Sequence, residues 1–309
     1  MDVSVVIPTR DRAARLASLL ESLGRQEGVA FEAVVVDDGS RDTTPELLLG
    51  EWPFELRPLR LDPSQGPAVA RNAGWRAAHA PLVAFTDDDC EVAPGWLAAL
   101  VAAHRRAPGA LIQGRTEPHP GEAARQGAFT RSQLVTSLGP NFQTCNIAYP
   151  RALLEQLGGF DESYPHYAED ADLAWRAIEA GAPAEFAAGA LVHHAIHETG
   201  ALDQLRDSQR WVHAVRCFRD HPQMRSAFRR RVFWRPSHEG LVLTAVALAL
   251  ARPTRGLSLV LAVPYLRFLR TQHGSWAGAV ASLPAHVLVD AAEVAAMARG
   301  SARYRTFVL

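Results

Sequence analysis

Short apolar runs alternate with amphipathic segments through the first hundred residues, and this alternation restricts the fold more than any other feature of the sequence. Residues 3–7, 33–36, 56–61 and 82–85 have the length and composition of buried strands. Helical periodicity appears between them, as at 68–78. Strands that alternate with helices form a parallel sheet with right-handed crossovers. The first half of the chain is therefore predicted to be an α/β domain.

Polar residues directly follow three of these predicted strands. They are Thr9-Arg10, Asp37-Asp38 and the triplet Asp87-Asp88-Asp89. Because the carboxyl ends of parallel strands meet at one edge of a sheet, where open α/β folds bind ligands, these residues predict a pocket. Three adjacent carboxylates repel one another, and a divalent cation such as Mg²⁺ or Mn²⁺ relieves that repulsion. A solvated acidic turn is the alternative interpretation of the triplet by itself.

Charge and cysteine content exclude several classes of protein. The formal net charge is -1 over 309 residues, so no global field favours nucleic acid as a partner. Cys90, Cys145 and Cys217 have no metal-type spacing and cannot form a fully paired disulfide framework, which predicts a reducing compartment. The sequence begins with an apolar strand rather than a charged segment and an apolar core, so no secretory signal is predicted.

A series of short motifs in the first two-thirds of the chain resembles family 2 glycosyltransferases of the GT-A fold, in order as well as in sequence. The motifs are VVIPTR at 5–10, VVDDGS at 35–40, ARNAG at 70–74, FTDDD at 85–89, NIA at 146–148, GGFDE at 158–162 and EDADL at 169–173. The resemblance implies a Rossmann-like, mostly parallel sheet with flanking helices. It also implies a nucleotide-diphosphate-sugar donor and inversion at the anomeric carbon.

The resemblance further implies which residues bind the donor and the metal. The implied donor-binding residues are Pro8, Thr9, Arg10, Asp38, Arg71, Asp87 and Asp88, and the implied metal-binding residues are Asp87, Asp89 and His193. In this scheme Asp89 ligates Mn²⁺ or Mg²⁺ directly, Asp87 contacts the ribose or a metal-bound water, and Asp88 points toward the sugar or solvent. The sequence shows no dense set of positive side chains for the diphosphate, so a metal is the simplest means of stabilising that leaving group.

Several of these residues also have purely structural interpretations. Thr9 fits a strand-end cap, Asp38 fits an Asx-turn or a helix cap, and Arg71 fits a surface position on a helix. The sequence alone leaves both interpretations of each residue open.

Two adjacent histidines follow the apolar pair at 191–192, where many family members supply a metal ligand. His193 is preferred over His194 because it directly follows the apolar residues, and His197 is a weaker candidate. A histidine without charged neighbours is more often structural, and only the carboxylates and the family position favour a ligand here.

The acceptor side is implied by the EDADL motif and by the segment 139–149. Asp170 is the implied general base, which takes the proton of the acceptor hydroxyl as that oxygen attacks the sugar. Glu169 and Asp172 are expected to hold acceptor hydroxyls or orient the base, and Asn146 is assigned to the acceptor side. Acidic residues in a first helical turn are also favoured by the helix dipole, which is the structural alternative.

The last third of the chain is predicted to be helical. Residues 201–235 mix aromatic side chains with arginine, which suits either a membrane interface or a helix packed on the catalytic domain with a solvated basic face. Residues 241–251 and 257–263 are apolar but too short to span a bilayer, and Pro264 follows the second. They predict paired helices that lie in, or dip into, the cytoplasmic leaflet.

One further apolar helix is predicted at 278–298. Asp290 and Glu293 share one face of it, and they are interpreted as the polar side of an amphipathic helix rather than as a second active site.

The predicted organisation has two parts. Residues 1–200 form the GT-A catalytic domain, with a nucleotide-binding half at 1–100 and an acceptor half at 101–200. Residues 201–309 are predicted to form an α-helical, membrane-associated region, which places the protein on the inner face of the cell membrane. A soluble helical appendage or a dimerisation surface is the alternative for this region.

The predicted function is inverting transfer from a UDP-, GDP- or dTDP-linked sugar to a hydroxyl of a glycan or lipid-linked acceptor. The setting is cell-surface polysaccharide, glycolipid or lipid-linked glycan synthesis. A catalytically inactive, nucleotide-binding membrane adaptor is one alternative. A sugar nucleotidyltransferase is another, although residues 8–10 do not resemble the phosphate loop that it needs.

Overall fold

The computed structural model describes residues 1–127, 129–164 and 167–309, and the chain forms two compact units. The first unit comprises Met1–Arg125 and Ser132–His197, and the second comprises Gln126–Arg131 and Glu198–Leu309.

The first unit is built on an eight-stranded sheet. Its strands are β1 (Val3–Thr9), β2 (Phe31–Asp37), β3 (Glu55–Arg60), β4 (Leu82–Phe85), β5 (Cys90–Val92), β6 (Leu111–Pro118), β7 (Ile147–Pro150) and β8 (Ala184–His194). The spatial order is β3-β2-β1-β4-β7-β6-β8-β5. As predicted, β1 to β4 pair in parallel. Beyond β4 the sheet is mixed, because β7 is antiparallel to both β4 and β6.

Helices cover both faces of this sheet. They are α1 (Ala13–Gly24), α2 (Thr44–Leu48), α3 (Pro67–Ala77), α4 (Trp96–Arg106), α5 (Arg151–Leu157) and α6 (Glu169–Glu179). Val5 and Ile7 of β1 belong to the core that contains α1, whereas Val6 belongs to the core that contains α3. Burial on both faces explains why the strands are continuously apolar instead of alternating. The expected α/β architecture, a sheet with helices on both faces, is confirmed.

Glycine and asparagine of the ARNAG motif hold α3 against its neighbours. A Cβ on Gly74 would lie 2.4 Å from Val6 Cγ1, so only glycine lets α3 approach β1 this closely. Asn72 Nδ2 donates to Phe160 O at 2.9 Å, and Asn72 Oδ1 accepts from Phe160 N at 2.9 Å. These contacts join the ARNAG and GGFDE motifs and fix the position of Arg71 on α3.

The second unit is helical, as predicted. Its α-helices are α7 (Ala201–Asp207), α8 (Trp211–Asp220), α9 (Pro236–Ala249), α10 (Val263–His273) and α11 (Trp276–Tyr304), and Leu257–Ala262 forms a 3₁₀ helix. Pro264 does not break this region but lies in the first turn of α10, where its missing N–H has no helical partner to lose.

The aromatic side chains of 201–235 form part of the interior of this unit. Trp211, Phe218 and Phe228 are buried, and the Phe218 ring lies 5.1 Å from that of Trp234. Several arginines of the same stretch are paired within the unit: Arg229 and Arg230 with Glu239, and Arg235 with Glu293. The interpretation of these aromatic residues as a membrane interface is therefore wrong, because they stabilise the unit's own core.

The acidic residues of α11 are also internal rather than on a polar outer face. Tyr265 Oη donates to Asp290 Oδ2 at 2.7 Å, and His238 Nε2 lies 3.0 Å from Glu293 Oε2. Both carboxylates are buried. Within the described ranges, α11 is the one helix whose length and apolar composition suffice to cross a membrane.

Candidate active site

Arg71 joins the acidic triplet at the end of β4 to the first turn of α6. Its Nη2 donates to Asp87 Oδ1 and its Nη1 donates to Glu169 Oε1, each at 2.9 Å. Burial opposes its charge, but Asp87 and Glu169 hold the pKa of Arg71 above its usual value. The surface interpretation of Arg71 is wrong, because the side chain is buried and orders two carboxylates.

A second arginine, which the sequence analysis did not identify, lies among the other two carboxylates of the triplet. Arg12 Nη1 is 2.9 Å from both Asp88 Oδ1 and Asp89 Oδ2. Two arginines, Arg12 and Arg71, therefore neutralise part of this acidic cluster. Because both arginines are bonded to carboxylates, they are not a dense positive set for a diphosphate, and the expectation that such a set is lacking stays a prediction.

Asp88 is expected from the resemblance to point toward the sugar or solvent, but it does not point toward solvent. It is buried, and Thr9 Oγ1 donates to its Oδ2 at 2.8 Å. Burial raises the pKa of Asp88 to about 6, against the opposing charge of Arg12. The side chain of Thr9 thus ties the end of β1 to the end of β4.

Asp89 lies beside two histidines, neither of which is His193. His197 Nε2 is 2.8 Å from Asp89 Oδ2, and His194 Nε2 is 3.6 Å from Asp89 Oδ1. Burial alone disfavours the charge, but the hydrogen bond from His197 and the charges of His194 and Arg12 hold the pKa of Asp89 below its usual range.

The preference for His193 as a ligand is corrected by the direction of its side chain. Successive residues of a strand point to opposite faces, so His193 and His194 cannot both face Asp89. The His193 ring packs 6.0 Å from the His119 ring, and its Nδ1 has no hydrogen-bond partner among the described residues.

The group of Asp89, His194 and His197 meets the requirements of a divalent cation. One ligand atom from each residue lies within 4.8 Å of the others. Asp89 Oδ1 is buried and accepts no hydrogen bond from any described residue, so a lone pair remains for a cation. Two imidazole nitrogens with a carboxylate oxygen suit Mn²⁺ better than Mg²⁺, which prefers oxygen alone.

A pocket opens on the other side of the triplet. Its lining includes Arg71, Asp87, Gln143, Thr144, Cys145, Tyr167, Glu169 and Asp170. Burial and the negative charge of Glu169 raise the pKa of Asp170 to about 7, while Arg71 partly opposes the shift. Asp170 is therefore poised to exchange a proton near neutral pH. Burial also raises the pKa of Cys145, which disfavours the reactive thiolate form.

The end of β1 and the loop after β2 meet at the turn before α3. Asp38 accepts hydrogen bonds from Ser64 Oγ and Gln65 N at 2.7 Å and from Gly66 N at 2.9 Å. Arg10 Nη1 donates to the same Ser64 Oγ at 2.9 Å and is exposed. Pro8 lies within β1, opposite Val36. Asp38 thus has a structural role that differs from the Asx-turn or helix cap considered for it, because its carboxylate holds the distant turn at 64–66.

Two residues assigned to the acceptor side are engaged elsewhere. Asn146 is fully buried: its Nδ2 donates to Arg115 O at 2.7 Å, and its Oδ1 accepts from Trp96 Nε1 at 2.8 Å. Asp172 is buried on α6 and accepts from Arg176 Nε at 2.8 Å. Both stabilise the fold, and these two assignments are corrected. Glu169 alone of the three lines the pocket.

Comparisons with known proteins agree with the motifs. The glycosyl transferase family 2 model matches residues 4–158, and the model of glycosyl transferase family group 2 matches residues 122–291. The pre-mycofactocin glycosyltransferase of Mycobacterium tuberculosis is 34% identical over 68% of this chain, and validoxylamine A glucosyltransferase of Streptomyces hygroscopicus is 30% identical over 77%. The chain spans 44% and 64% of the lengths of these two relatives.

Solved structures share the fold at lower identity. The mannosyltransferase PcManGT from Pyrobaculum calidifontis, in complex with GDP-Man and Mn²⁺, aligns with a TM-score of 0.60 at 23% identity, over 96% of this chain and 86% of its own. TarS from S. aureus, in complex with UDP-GlcNAc, aligns with a TM-score of 0.57 at 17% identity, over 99% of this chain and 93% of its own. The resemblance seen in the motifs is confirmed, and the chain belongs to glycosyltransferase family 2.

Proposed function

We propose that this protein transfers a sugar from a nucleotide-diphosphate-sugar donor to an acceptor hydroxyl, with inversion at the anomeric carbon. The observation that carries the proposal is the pocket in which Asp170, with its raised pKa, faces the same space as Asp87 of the triplet. Direct displacement requires a base on the acceptor and charge stabilisation on the leaving diphosphate, held on opposite sides of the sugar. Asp170 in this pocket would supply the base, and a cation at Asp89, His194 and His197, on the other side of the triplet, would supply the charge stabilisation.

Donor binding is assigned to the half of the catalytic domain at 1–100. Arg71 holds Asp87 in place for the ribose, while Thr9 and Arg12 fix the orientation of Asp88. The complexes of PcManGT with GDP-Man and of TarS with UDP-GlcNAc support this class of donor. The half at 101–200 is assigned to the acceptor, with Glu169 orienting Asp170 through its charge.

Asp89, His194 and His197 are the residues that would hold a divalent cation, and Mn²⁺ is favoured by their mixed nitrogen and oxygen atoms. When bound, such a cation stabilises the negative charge that develops on the departing diphosphate. The Mn²⁺ complex of PcManGT supports the same choice. Asp87, bound to Arg71, is assigned to the ribose or to a water of the cation rather than to direct ligation.

The transfer rate is expected to rise with pH through the pKa of Asp170. Because burial and Glu169 raise this pKa to about 7, the carboxylate is mostly protonated, and inactive as a base, one unit below that value. The kcat/KM for transfer should therefore fall about tenfold for each pH unit on the acid side and level off above the pKa. Donor affinity measured over the same range separates this effect from titration of Asp88. A flat profile across neutral pH contradicts the assignment.

Calorimetric titration with UDP, GDP, dTDP and CMP, with and without Mn²⁺, tests the donor class. We expect one nucleoside diphosphate to bind. Mn²⁺ should tighten its binding at least tenfold, because the cation offsets the negative charge of the diphosphate. Absence of binding to any of the four by the folded protein contradicts the proposal. Binding without transfer to any acceptor favours the non-catalytic adaptor instead.

The second unit is assigned to the cytoplasmic face of the membrane, where it would bring the enzyme to a lipid-linked acceptor. The support is the distribution of exposed apolar side chains, most of which lie in the second unit. Synthesis of a cell-surface polysaccharide, glycolipid or lipid-linked glycan is the proposed setting.

A further inference from the structure

A run of exposed apolar side chains lies between the end of α9 and the start of α10. We call it the hairpin surface, and it consists of Val246, Leu248, Leu250, Leu257, Leu259, Val260, Val263 and Leu266. Leu257 is 80% exposed and Val260 is 66% exposed. Scattered apolar residues are normal on a protein surface, but eight within 21 residues mark an interaction site.

The inner side of the same segment is well packed. Ser258 is buried and its Oγ donates to Ala247 O at 2.7 Å, which ties the 3₁₀ helix to α9. Thr254 Oγ1 donates to Leu250 O at 2.7 Å and closes the connecting turn. Tyr265 and Leu269 of α10 are buried. The segment therefore has an inner side that is fixed by packing and hydrogen bonds. The residues of the hairpin surface lie on its outer side, where the solvent reaches them.

The charged residues in the stretch of sequence around the hairpin surface are all positive. No Asp or Glu occurs from 240 to 289. Arg252, Arg255, Arg267 and Arg270 lie in this stretch and are exposed. No carboxylate of the described residues pairs with Arg252, Arg255 or Arg267. This differs from the arginines at 229–235, several of which neutralise carboxylates inside the unit.

Apolar side chains bordered by unpaired arginines match one surface in particular, an anionic bilayer. The apolar residues can enter the boundary between headgroups and acyl chains, while guanidinium groups bind lipid phosphates in a bidentate manner. Trp276 is 53% exposed, and its ring lies 5.5 Å from the Arg270 guanidinium. Tryptophan is favoured at the membrane–water interface because its ring is amphipathic.

We infer that the hairpin surface is the element that docks on anionic lipid, with Leu257 and Val260 inserted and Arg252 and Arg255 on the phosphates. The inference rests on the proposed membrane assignment and names its contact site. Of the two regions for which the sequence allows membrane contact, the stretch 201–235 is excluded because its aromatic side chains are internal. The segments 241–251 and 257–263 contain most of the hairpin surface.

Co-sedimentation of the full chain with phosphatidylcholine vesicles, with and without phosphatidylglycerol, tests this inference. We expect Leu257→Asp with Val260→Asp to lower the partition coefficient at least tenfold on anionic vesicles. Arg252→Gln with Arg255→Gln should lower binding to anionic vesicles and flatten its salt dependence. Leu49→Asp is the matched control, because Leu49 is an exposed apolar residue of the first unit at 84% exposure, and it should bind as the wild type does.

Three results would overturn the inference, and they differ in what they leave standing. If the wild type binds and the Leu257→Asp, Val260→Asp variant binds equally well, the contact site is elsewhere and the membrane assignment survives. If the wild type does not bind anionic vesicles, the membrane assignment of the second unit and the contact site at the hairpin surface both fail. If the variant instead dissociates a dimer of the wild type, a second copy covers this surface. Nucleotide binding is measured on the same samples, so the donor proposal is judged separately.

Discussion

Asp170→Asn is expected to lower the transfer rate by about 10²–10⁴-fold while donor binding stays within about twofold of wild type. Asparagine has the same shape, and its side-chain oxygen can still accept the 2.8 Å hydrogen bond from Ala171 N. It cannot take a proton from the acceptor, so the loss falls on kcat. Single-turnover transfer and calorimetric donor titration measure the two quantities.

The control is Asp172→Asn on the same helix. This substitution removes the same charge as Asp170→Asn, but from a residue that pairs with Arg176. Arg176 also donates to Leu157 O and Gly159 O, so it should stay in place. We expect this variant to retain transfer within about tenfold of wild type. Equal losses of transfer rate in the two variants would show that helix α6 is sensitive to any loss of charge. Retained transfer in Asp170→Asn would exclude Asp170 as the base.

Stability gives a second readout of the same assignment. A carboxyl group whose folded pKa is raised binds more protons in the folded state, so its contribution to stability is full below the unfolded value near 4 and is lost as the pH rises through about 7. Asp170→Asn removes a charge that its surroundings and Glu169 disfavour, so the Tm of the variant should exceed that of wild type by roughly 2 °C or more at pH 8. The difference should shrink toward pH 5. If the Tm of Asp170→Asn is lower than that of wild type at pH 8, the raised pKa of Asp170 is contradicted.

The sequence predicts the parts of this site that depend on local pattern. The triplet, Thr9 and Asp38 each follow an apolar strand, and parallel strands bring such ends together whatever else the chain does. Arg71 comes from the ARNAG motif, in which Gly74 has a visible packing reason. These residues are predictable because strand direction alone determines their neighbourhood.

Residues whose partners are distant in sequence are not predictable in the same way. Arg12 meets Asp88 and Asp89 across 76 and 77 residues, and no local pattern near Arg12 indicates those contacts. The apolar pair at 191–192 favours His193 over His194 as the ligand. Such a pair places one side chain on each face of the strand, however, so it carries no information on which histidine faces Asp89. A difference of one residue reverses the side on which the ring lies.

The aromatic and arginine residues of 201–235 show that composition alone does not predict whether a segment is buried. Trp211 and Phe218 surrounded by arginine have the composition of a membrane interface and also of a small helical core whose polar rim is paired. Only burial distinguishes the two, and burial is a property of the whole unit rather than of the segment.

Asp89→Asn is expected to weaken Mn²⁺ binding at least about 100-fold and to lower transfer by a similar factor. The reason is that Asp89 supplies the carboxylate oxygen nearest both histidines, and an amide oxygen in its place carries no charge. Its shape is preserved, so the neighbouring turn should persist. Mn²⁺ affinity, measured directly by electron paramagnetic resonance, is the primary readout, because loss of activity alone would not identify a ligand.

The histidine variants decide between the two faces of β8. His194→Ala should lower Mn²⁺ affinity by about 10–100-fold, and His197→Ala should lower it as well, since both nitrogens lie within 4 Å of Asp89. His193→Ala is the matched control: it removes an adjacent imidazole from the same strand, but that ring packs beside His119, so affinity should stay within about twofold. If His193→Ala weakens Mn²⁺ binding while His194→Ala does not, the cation lies on the opposite face. Asp89 would then have to ligate it from a different backbone position, and the register of β8 against β5, with Cys90 opposite His194, would be wrong as well.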